Sequence, residues 1–415
     1  MNPLPPNIPA EKIHAQTVER LSRSRPLLVS VGRALEAIPR MRPNMILHPG
    51  PPITWERMPP PLQGAVVCAL LHEGVANSEE EAREMARRGR VLFEPALDHK
   101  AVCPLASVIS PSMPVCIVRN ETYSNYAHCL LNEGPGRVLR YGGFKAEALD
   151  RLRWVEKVLA PVLRQAIAAS GGLDLRSILA QSLHMGDDGL QQTKASTSLF
   201  VRMLAPHLAH TCKNSDTLVQ VLSFLDSHNL FFQNLALAAA KSALDAAHGI
   251  PTSRIVTAMA GNGVEFGIQV SGLADSWFTA PVEPPDGLFL PGYGRSDALP
   301  LIGDGSIMEA YGLGALALAG APVVMAFLGG DARRGSQVTE EMYRISAAES
   351  PNYTIPALNM RGAPVGIDAA RAAAERSAPW LNIEIINRQP GGGQIGAALW
   401  RAPLGPFEQA ARAED

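Results

Sequence analysis

Cysteine is scarce in this sequence, positive charge is not in excess and aromatic residues are few, and each shortage closes a class of function. Five cysteines (Cys68, Cys103, Cys116, Cys129 and Cys212) in 415 residues are too few and too scattered for a disulfide framework. They fit a reducing compartment, so a cytoplasmic location is expected. Lysine and arginine total 37 against 39 aspartates and glutamates, leaving no basic surplus to release counterions from nucleic acid. Nucleic acid is not an expected partner. The opening, Met1 to Ala10, holds four prolines but neither a basic cluster nor an apolar run, so it reads as a flexible arm over residues 1–10 and not as a secretory signal. The one uncharged stretch long enough for a bilayer, Ala310 to Gly330, is interrupted by Gly320 and Pro322. It reads as a buried helix followed by a buried strand, and no membrane association is expected.

Several chemical signatures are missing too. The sequence has no Walker A loop, no G-x-S-x-G elbow and no H-E-x-x-H pair. Gly261-Asn262-Gly263 followed by Gly267 misses the dinucleotide fingerprint by one residue, and it lies between two β-type runs instead of at a strand-to-helix turn. No cofactor is expected. His99, Cys103, Cys116, His128 and Cys129 have ligand chemistry but no C-x-x-C pair among them, so they read as small buried residues and no metal is expected. No serine or cysteine stands in a demonstrable arrangement with a histidine, which leaves positioning and electrostatic stabilisation as the chemistry to look for.

What is present is a folded, turn-rich chain with 47% hydrophobic and 18% charged residues, 36 glycines and 34 prolines. Its length predicts two or three domains at about 150 residues each. Residues 11–145 mix helices with short strands: a helix from Glu11 to about Arg40, on which Leu21, Leu27, Leu28, Val31 and Leu35 share a face; a second from Pro61 to Glu73; and a solvated one over residues 79–90. Short β-type runs follow at Val91 to Phe93, Val115 to Val118 and Arg137 to Tyr141. Residues 146–250 read as helical throughout. Residues 251–415 turn to β, with Arg254 to Ala260 and Glu265 to Ser271 flanking Asn262-Gly263, a strong hairpin signal, and further strands at Val323 to Leu328 and Ile383 to Ile386. The expected fold class is therefore α+β, two mixed α/β regions with a helical middle domain. There is no internal repeat, which excludes solenoids and propellers.

Two loops carry most of the chemical interest. In Leu183 to Gln192, Asp188 and Gln191 have capping-box spacing at the head of a helix running from about Leu190 to Leu204. Asp187 has no such duty, and a carboxylate there serves either the local turn or a polar ligand. In Ile302 to Glu309, Ser306 and Glu309 again match a capping box, but the Gly303-Asp304-Gly305 loop also aims backbone amides out of a dry interior, which suits a phosphate or carboxylate. A third glycine cluster, Gly391 to Gly393 with Gln394, precedes Arg401, whose guanidinium suits a bidentate clamp on an anion. Asn120-Glu121 and Asn132-Glu133 lie beside strands, where amides can read a urea-like group or simply serve turns.

The strings LHPGPPITWERMPPPLQGA (Leu47 to Ala65), LNEGPGRVLRYG (Leu131 to Gly142), HMGDD (His184 to Asp188), NGVEFGIQVSG (Asn262 to Gly272), WFTAPV (Trp277 to Val282), GDGSIMEAYGLG (Gly303 to Gly314) and GQIGAALWRAPL (Gly393 to Leu404) resemble, in order, the YlbE-like family. That family includes a subunit of the three-component oxamate carbamoyltransferase of allantoin degradation, a step of purine degradation. The resemblance implies a transferase moving a carbamoyl group among oxalurate, oxamate and carbamoyl phosphate. It implies partner subunits, one similar to succinyl-CoA synthetase, in an oligomeric complex. It also implies departures: where the family carries a histidine and then an arginine–asparagine pair, this chain has Leu190, Gln192 and Thr193, and where it often carries an arginine before Asn262, this chain has Gly261. Lys194 or Arg119 is a candidate to restore the positive charge.

The expected function is a carbamoyltransferase-like subunit acting on a small ureide, amide or carbamoyl compound held between the two α/β regions. Asp187, Asp304 and Glu309 are the candidate catalytic carboxylates. Asn262, Gly263, Glu265, Gly305, Ser306, Gly393, Gln394 and Arg401 are the candidate substrate contacts, with the amides around Gly305 and Gly393 stabilising an oxyanion. The alternatives are a non-catalytic binding or assembly subunit, which the lost histidine and arginines favour, and an amide hydrolase.

Overall fold

The computed structural model describes residues 10–274 and 276–414; all but the last residue of the proline-rich arm lies outside them. The fold is α+β. A five-stranded sheet runs Ala101–Val102, Tyr126–Leu130, Pro114–Asn120, Pro26–Arg33, Leu173–Asp174, antiparallel except for the first pair. The helix Phe231–Ala246 lies against this sheet and also meets the short helix Ile307–Tyr311. Of its residues only Asp245 is not buried, which fits a sequence rich in alanine: small side chains let sheet and helices approach from all directions.

Beyond it, Val256–Asn262 and Glu265–Val270 form the expected hairpin, extended by Phe278–Pro281 and Ile302–Gly303. Trp380–Ile386 and Gln394–Arg401 form a second antiparallel pair edged by Leu288–Phe289. One apolar cluster runs from Val18 through Leu179 and Phe232 to Ala410. The segments 11–145, 146–250 and 251–415 all feed it. Among the described residues no helix is long and apolar enough to cross a membrane.

Four local expectations are overturned. The helix expected from Glu11 to Arg40 stops at Arg23, and Pro26–Arg33 is the central strand of the first sheet. Pro26 pushes Arg25 out of the helical region, and Leu27, Leu28 and Val31 are buried in the strand, with an irregularity in its pairing between Leu28 and Ser30. Arg137 to Tyr141 is not a strand; Leu139–Tyr141 is a single 3-10 turn that closes on Gly142 in the left-handed region. Val323 to Leu328 is a helix, Pro322–Phe327, because a proline in the first helical turn starts a helix, and a short apolar run carries no period to oppose it. The helix after the 183–192 loop begins at Lys194, not Leu190.

Candidate functional site

A cavity lies where the helix Phe231–Ala246, the strand Trp380–Ile386, the Leu301–Ser306 loop and the turns at Pro104-Leu105 and Leu190-Gln191 meet. It is narrow, with an empty space of about 410 Å³. That is a site for a compound of a few heavy atoms, too small for a nucleotide. Its apolar walls include Leu105, Leu190, Leu237, Leu301 and Ile383, with Gln191, Gln233, Asn382, Glu384, Ser306 and Gly305 as the polar contribution.

The polar side chains are half satisfied. Gln233 Nε2 donates to Leu190 O at 3.0 Å, and its Oε1 has no partner. Asn382 Nδ2 donates to Asp188 Oδ2 at 2.6 Å, and its Oδ1 has none. Glu384 Oε1 accepts from Tyr141 Oη at 2.8 Å, and its Oε2 has none. Leu190 O and the Asp188 carboxylate accept only, so the amide nitrogens must face them and the amide oxygens are the free ends. Each buried acceptor without a donor costs about 1–3 kcal/mol. All three belong to residues that line one cavity, and N–H groups are what would satisfy them. Two larger grooves, beside Pro281 and Arg401 and beside His14 and Arg371, have no such atom on their linings.

A layer of buried ionisable groups stands behind the cavity. Asp188 accepts from the backbone N–H groups of Leu190 and Gln192 at 3.0 and 2.9 Å, yet burial pushes its carboxyl up to about 6. Glu309 accepts from Asn382 N at 3.0 Å and Ala315 N at 3.1 Å, its Oε2 is unpartnered, and burial pushes it up to about 8. Both brace Asn382 from opposite sides. Arg140 is fully buried, its Nε and Nη1 unpartnered and its guanidinium 4.9 Å from the Tyr141 ring centre. Burial raises Glu384 and Glu133, and Arg140 opposes that rise in both.

Of the residues expected from the sequence, Gly305 and Ser306 line the cavity. Asp304 lies behind them as a strut, Oδ1 accepting from Gly50 N at 2.9 Å and Oδ2 from Cys103 N at 2.7 Å, with burial pushing it up to about 7. Neither expected capping box forms. Asp187, expected to be free of capping duty, holds the backbone N–H groups of Ala195 and Ser196 at the head of the Lys194–Thr211 helix. Asp188 instead faces Asn382. Ser306 makes no capping bond, and Glu309 reaches forward to Ala315 because the helix it was to cap is only five residues long.

The remaining expected residues lie elsewhere. Asn262 accepts from Val264 N and Glu265 N and donates to Pro51 O, which fixes the hairpin tip on the proline loop His48-Pro49-Gly50-Pro51-Pro52. Gly263 sits at φ +84°, where a Cβ would come 2.7 Å from Pro59, and Glu265 pairs with Arg57 and Thr279. Gly393 accepts from Asn387 N, and Gln394 donates to Gly396 O. Arg401, the expected anion clamp, is already engaged by Glu341, Ser377 and Ala378 O over the Trp380 ring.

The departures resolve in the same way. Leu190 lines the cavity, and Thr193 bonds to Asn229 O. Gly261 is no vacated arginine position, because a Cβ there would lie 2.4 Å from Leu301 O. Lys194 is exposed and Arg119 lies near Glu121, so neither restores charge at the cavity. Reading the sequence missed Gln233, Asn382, Glu384 and Arg140. A signal existed for three of them: single polar residues set in otherwise apolar elements, FFQNLALAAA and WLNIEII.

The model of the family described as oxamate carbamoyltransferase subunit AllG matches residues 91–305. The chain is 40% identical over 403 residues to the oxamate carbamoyltransferase subunit AllG of Escherichia coli (strain K12), covering 96% of each protein. It is 40% identical over 404 residues to the uncharacterized protein YahG of the same organism, covering 97% of this chain and 86% of that one. Among solved structures, a conserved protein of unknown function from Enterococcus faecalis V583 superposes with a TM-score of 0.95 at 40% identity, covering 97% of this chain and 96% of the other. Identity of this depth along the whole length leaves no ambiguity: the chain belongs to the family of the oxamate carbamoyltransferase subunit AllG.

Proposed function

We propose that this chain is a subunit of an oxamate carbamoyltransferase acting in allantoin degradation, and that its cavity binds the amide-bearing substrate. The observation that carries the reading is the set of three unpartnered acceptors, Gln233 Oε1, Asn382 Oδ1 and Glu384 Oε2, on residues that line one small cavity. A primary amide or ureido group brings several N–H donors on a planar frame of a few atoms, and oxamate is of that size. Its carbonyl and carboxylate need donors, and Ser306, Gly305 and Gln191 on the lining carry hydroxyl, backbone and amide N–H groups. Asp188 and Glu309 act through Asn382, holding the amide that reads the ligand. Partner subunits and a cytoplasmic site of action belong to the same reading.

Titration calorimetry of the purified chain with oxamate and oxalurate tests it. Binding that is lost in Asn382→Leu supports the reading, and absence of heat for either ligand, with or without partner subunits, refutes it. Carbon-13 NMR of labelled carbamoyl phosphate with oxamate and the assembled subunits then follows formation of oxalurate. A second reading, a subunit that binds substrate for a partner's chemistry, is favoured by the apolar Leu190 on the lining and by the lack of a histidine or thiol there. Turnover by this chain alone separates the two.

A further inference from the structure

Glu384 is an anomaly in its strand. Trp380–Ile386 is otherwise apolar apart from Asn382, and its interior residues are buried. A carboxylate there has to be desolvated, which is costly unless its oxygens are hydrogen-bonded. Only one is: Oε1 accepts from Tyr141 Oη at 2.8 Å, and Oε2, on a residue that lines the cavity, has no partner. The Arg140 guanidinium belongs to the same 3-10 turn as Tyr141, acts electrostatically on Glu384, and keeps its Nε and Nη1 unpartnered. A buried carboxylate and a buried guanidinium that feel each other's charge, without forming the hydrogen-bonded pair that would satisfy both, stabilise neither. Structure alone does not account for the arrangement.

We propose that Glu384 is the proton acceptor of the cavity, taking the proton from the ligand's amide nitrogen as that nitrogen forms its bond to the carbamoyl carbon, with Tyr141 and Arg140 as positioning residues. The inference rests on the proposed function of the same cavity and adds the group that moves the proton. The amide nitrogen of oxamate attacks the carbonyl carbon of carbamoyl phosphate. A C–N bond forms, the C–O bond to phosphate breaks, and phosphate leaves with the electron pair. The nitrogen, which would otherwise become cationic, gives its proton to Glu384 Oε2. An amide nitrogen is a poor nucleophile while it keeps that proton, so a fixed acceptor within reach contributes roughly 100-fold or more.

The groups that act on Glu384 are few. Arg140 and the Tyr141 hydroxyl favour its ionised form, against a desolvation that raises it. Glu133 lies in the field of the same Arg140, and Asp188 and Glu309 reach the strand only at Asn382, two residues away. Removing the Tyr141 hydroxyl therefore shifts the balance toward the protonated acid.

The test uses the enzyme assembled with its partner subunits, with labelled carbamoyl phosphate and oxamate as probes. Glu384→Gln should lower kcat by at least about 100-fold while changing oxamate affinity less than about threefold, and Glu384→Asp should restore part of the rate. Tyr141→Phe should move the acid limb of the pH–rate profile to higher pH, with the rate well above that limb largely kept. Matching circular dichroism and melting curves establish that the variants fold. Wild-type kcat in Glu384→Gln overturns the inference while leaving the cavity as the substrate site. A Tyr141→Phe rate depressed equally at every pH overturns the role of the hydroxyl as a tuner of Glu384. Wild-type protein that binds no oxamate brings down the proposed function itself, and this inference with it.

Discussion

Two neighbouring regions use the same vocabulary of Asp, Asn and Gly to opposite ends. At the hairpin tip, Asn262 spends both amide atoms on Pro51, Val264 and Glu265, and Asp304 spends both oxygens on Gly50 and Cys103. This junction ties the proline loop near the N-terminus to the C-terminal sheet and leaves nothing over for a ligand. In the cavity beside it, Gln233, Asn382 and Glu384 each spend one polar atom on the protein and keep one back. The difference teaches how to read a buried polar residue: residue type does not separate scaffold from site, but the unspent hydrogen-bonding capacity does.

The sharpest way to break that contrast is Asp304→Ala. It strands two buried backbone N–H groups, at about 1–3 kcal/mol each, and leaves a space, against which stands relief from burying the carboxyl itself. A net loss of about 2–4 kcal/mol at pH 6.5 is expected in urea unfolding. Stability within about 0.5 kcal/mol of wild type would show that the junction is no strut.

The pH dependence of stability comes next. Asp188, Asp304 and Glu309 have carboxyls pushed up to about 6, 7 and 8 in the folded chain, while their unfolded counterparts ionise near 4. Between pH 6.5 and 8.5 the unfolded chain has already released these protons and the folded chain still holds some of them, so the folded state binds more. Stability then falls as pH rises, by about 2–3 kcal/mol over this window. Thermal melting at fixed ionic strength checks the sign; a melting temperature that climbs from pH 6.5 to 8.5 contradicts it. Glu309→Gln should flatten the slope.

Much of this contrast was legible from the sequence, for reasons that can be named. Asn262-Gly263 between alternating apolar runs marks the hairpin because Gly263 occupies the left-handed region. The recurring apolar residues of 231–246 mark a helix, though not that nearly every residue of it is buried. Pairings between distant segments were not legible: nothing near Asp304 announces Gly50 or Cys103, more than 200 residues away. Asp187 and Asp188 exchanged expected roles because the loop runs on to Lys194 before the helix starts, and spacing alone does not say where a helix begins. Arg140 gave no local hint, since one of the carboxylates acting on it, Glu384, stands in a strand far along the chain.

Gly261→Ala sharpens the reading of the hairpin at a smaller scale. The added Cβ would lie 2.4 Å from the Leu301 carbonyl oxygen, a backbone atom that yields only if the edge strand shifts. The expected cost is about 1–3 kcal/mol. Unchanged stability would reopen position 261 to a larger side chain.

The smallest expected change in stability belongs to the cavity, and for that reason it discriminates best. Gln233→Leu removes the donor to Leu190 O, a bond worth about 1 kcal/mol, and also removes the buried Oε1 that has no partner, whose desolvation costs about as much. The two nearly cancel, so stability should stay within about 1 kcal/mol of wild type. Oxamate affinity should fall by about tenfold, the value of one lost hydrogen bond to a buried ligand. At the junction, polar atoms bound to the protein make a mutation costly to the fold and indifferent to ligand; in the cavity, atoms left unbound make it cheap to the fold and costly to ligand. A Gln233→Leu variant that unfolds easily yet binds oxamate normally would reverse that assignment and make the cavity part of the scaffold.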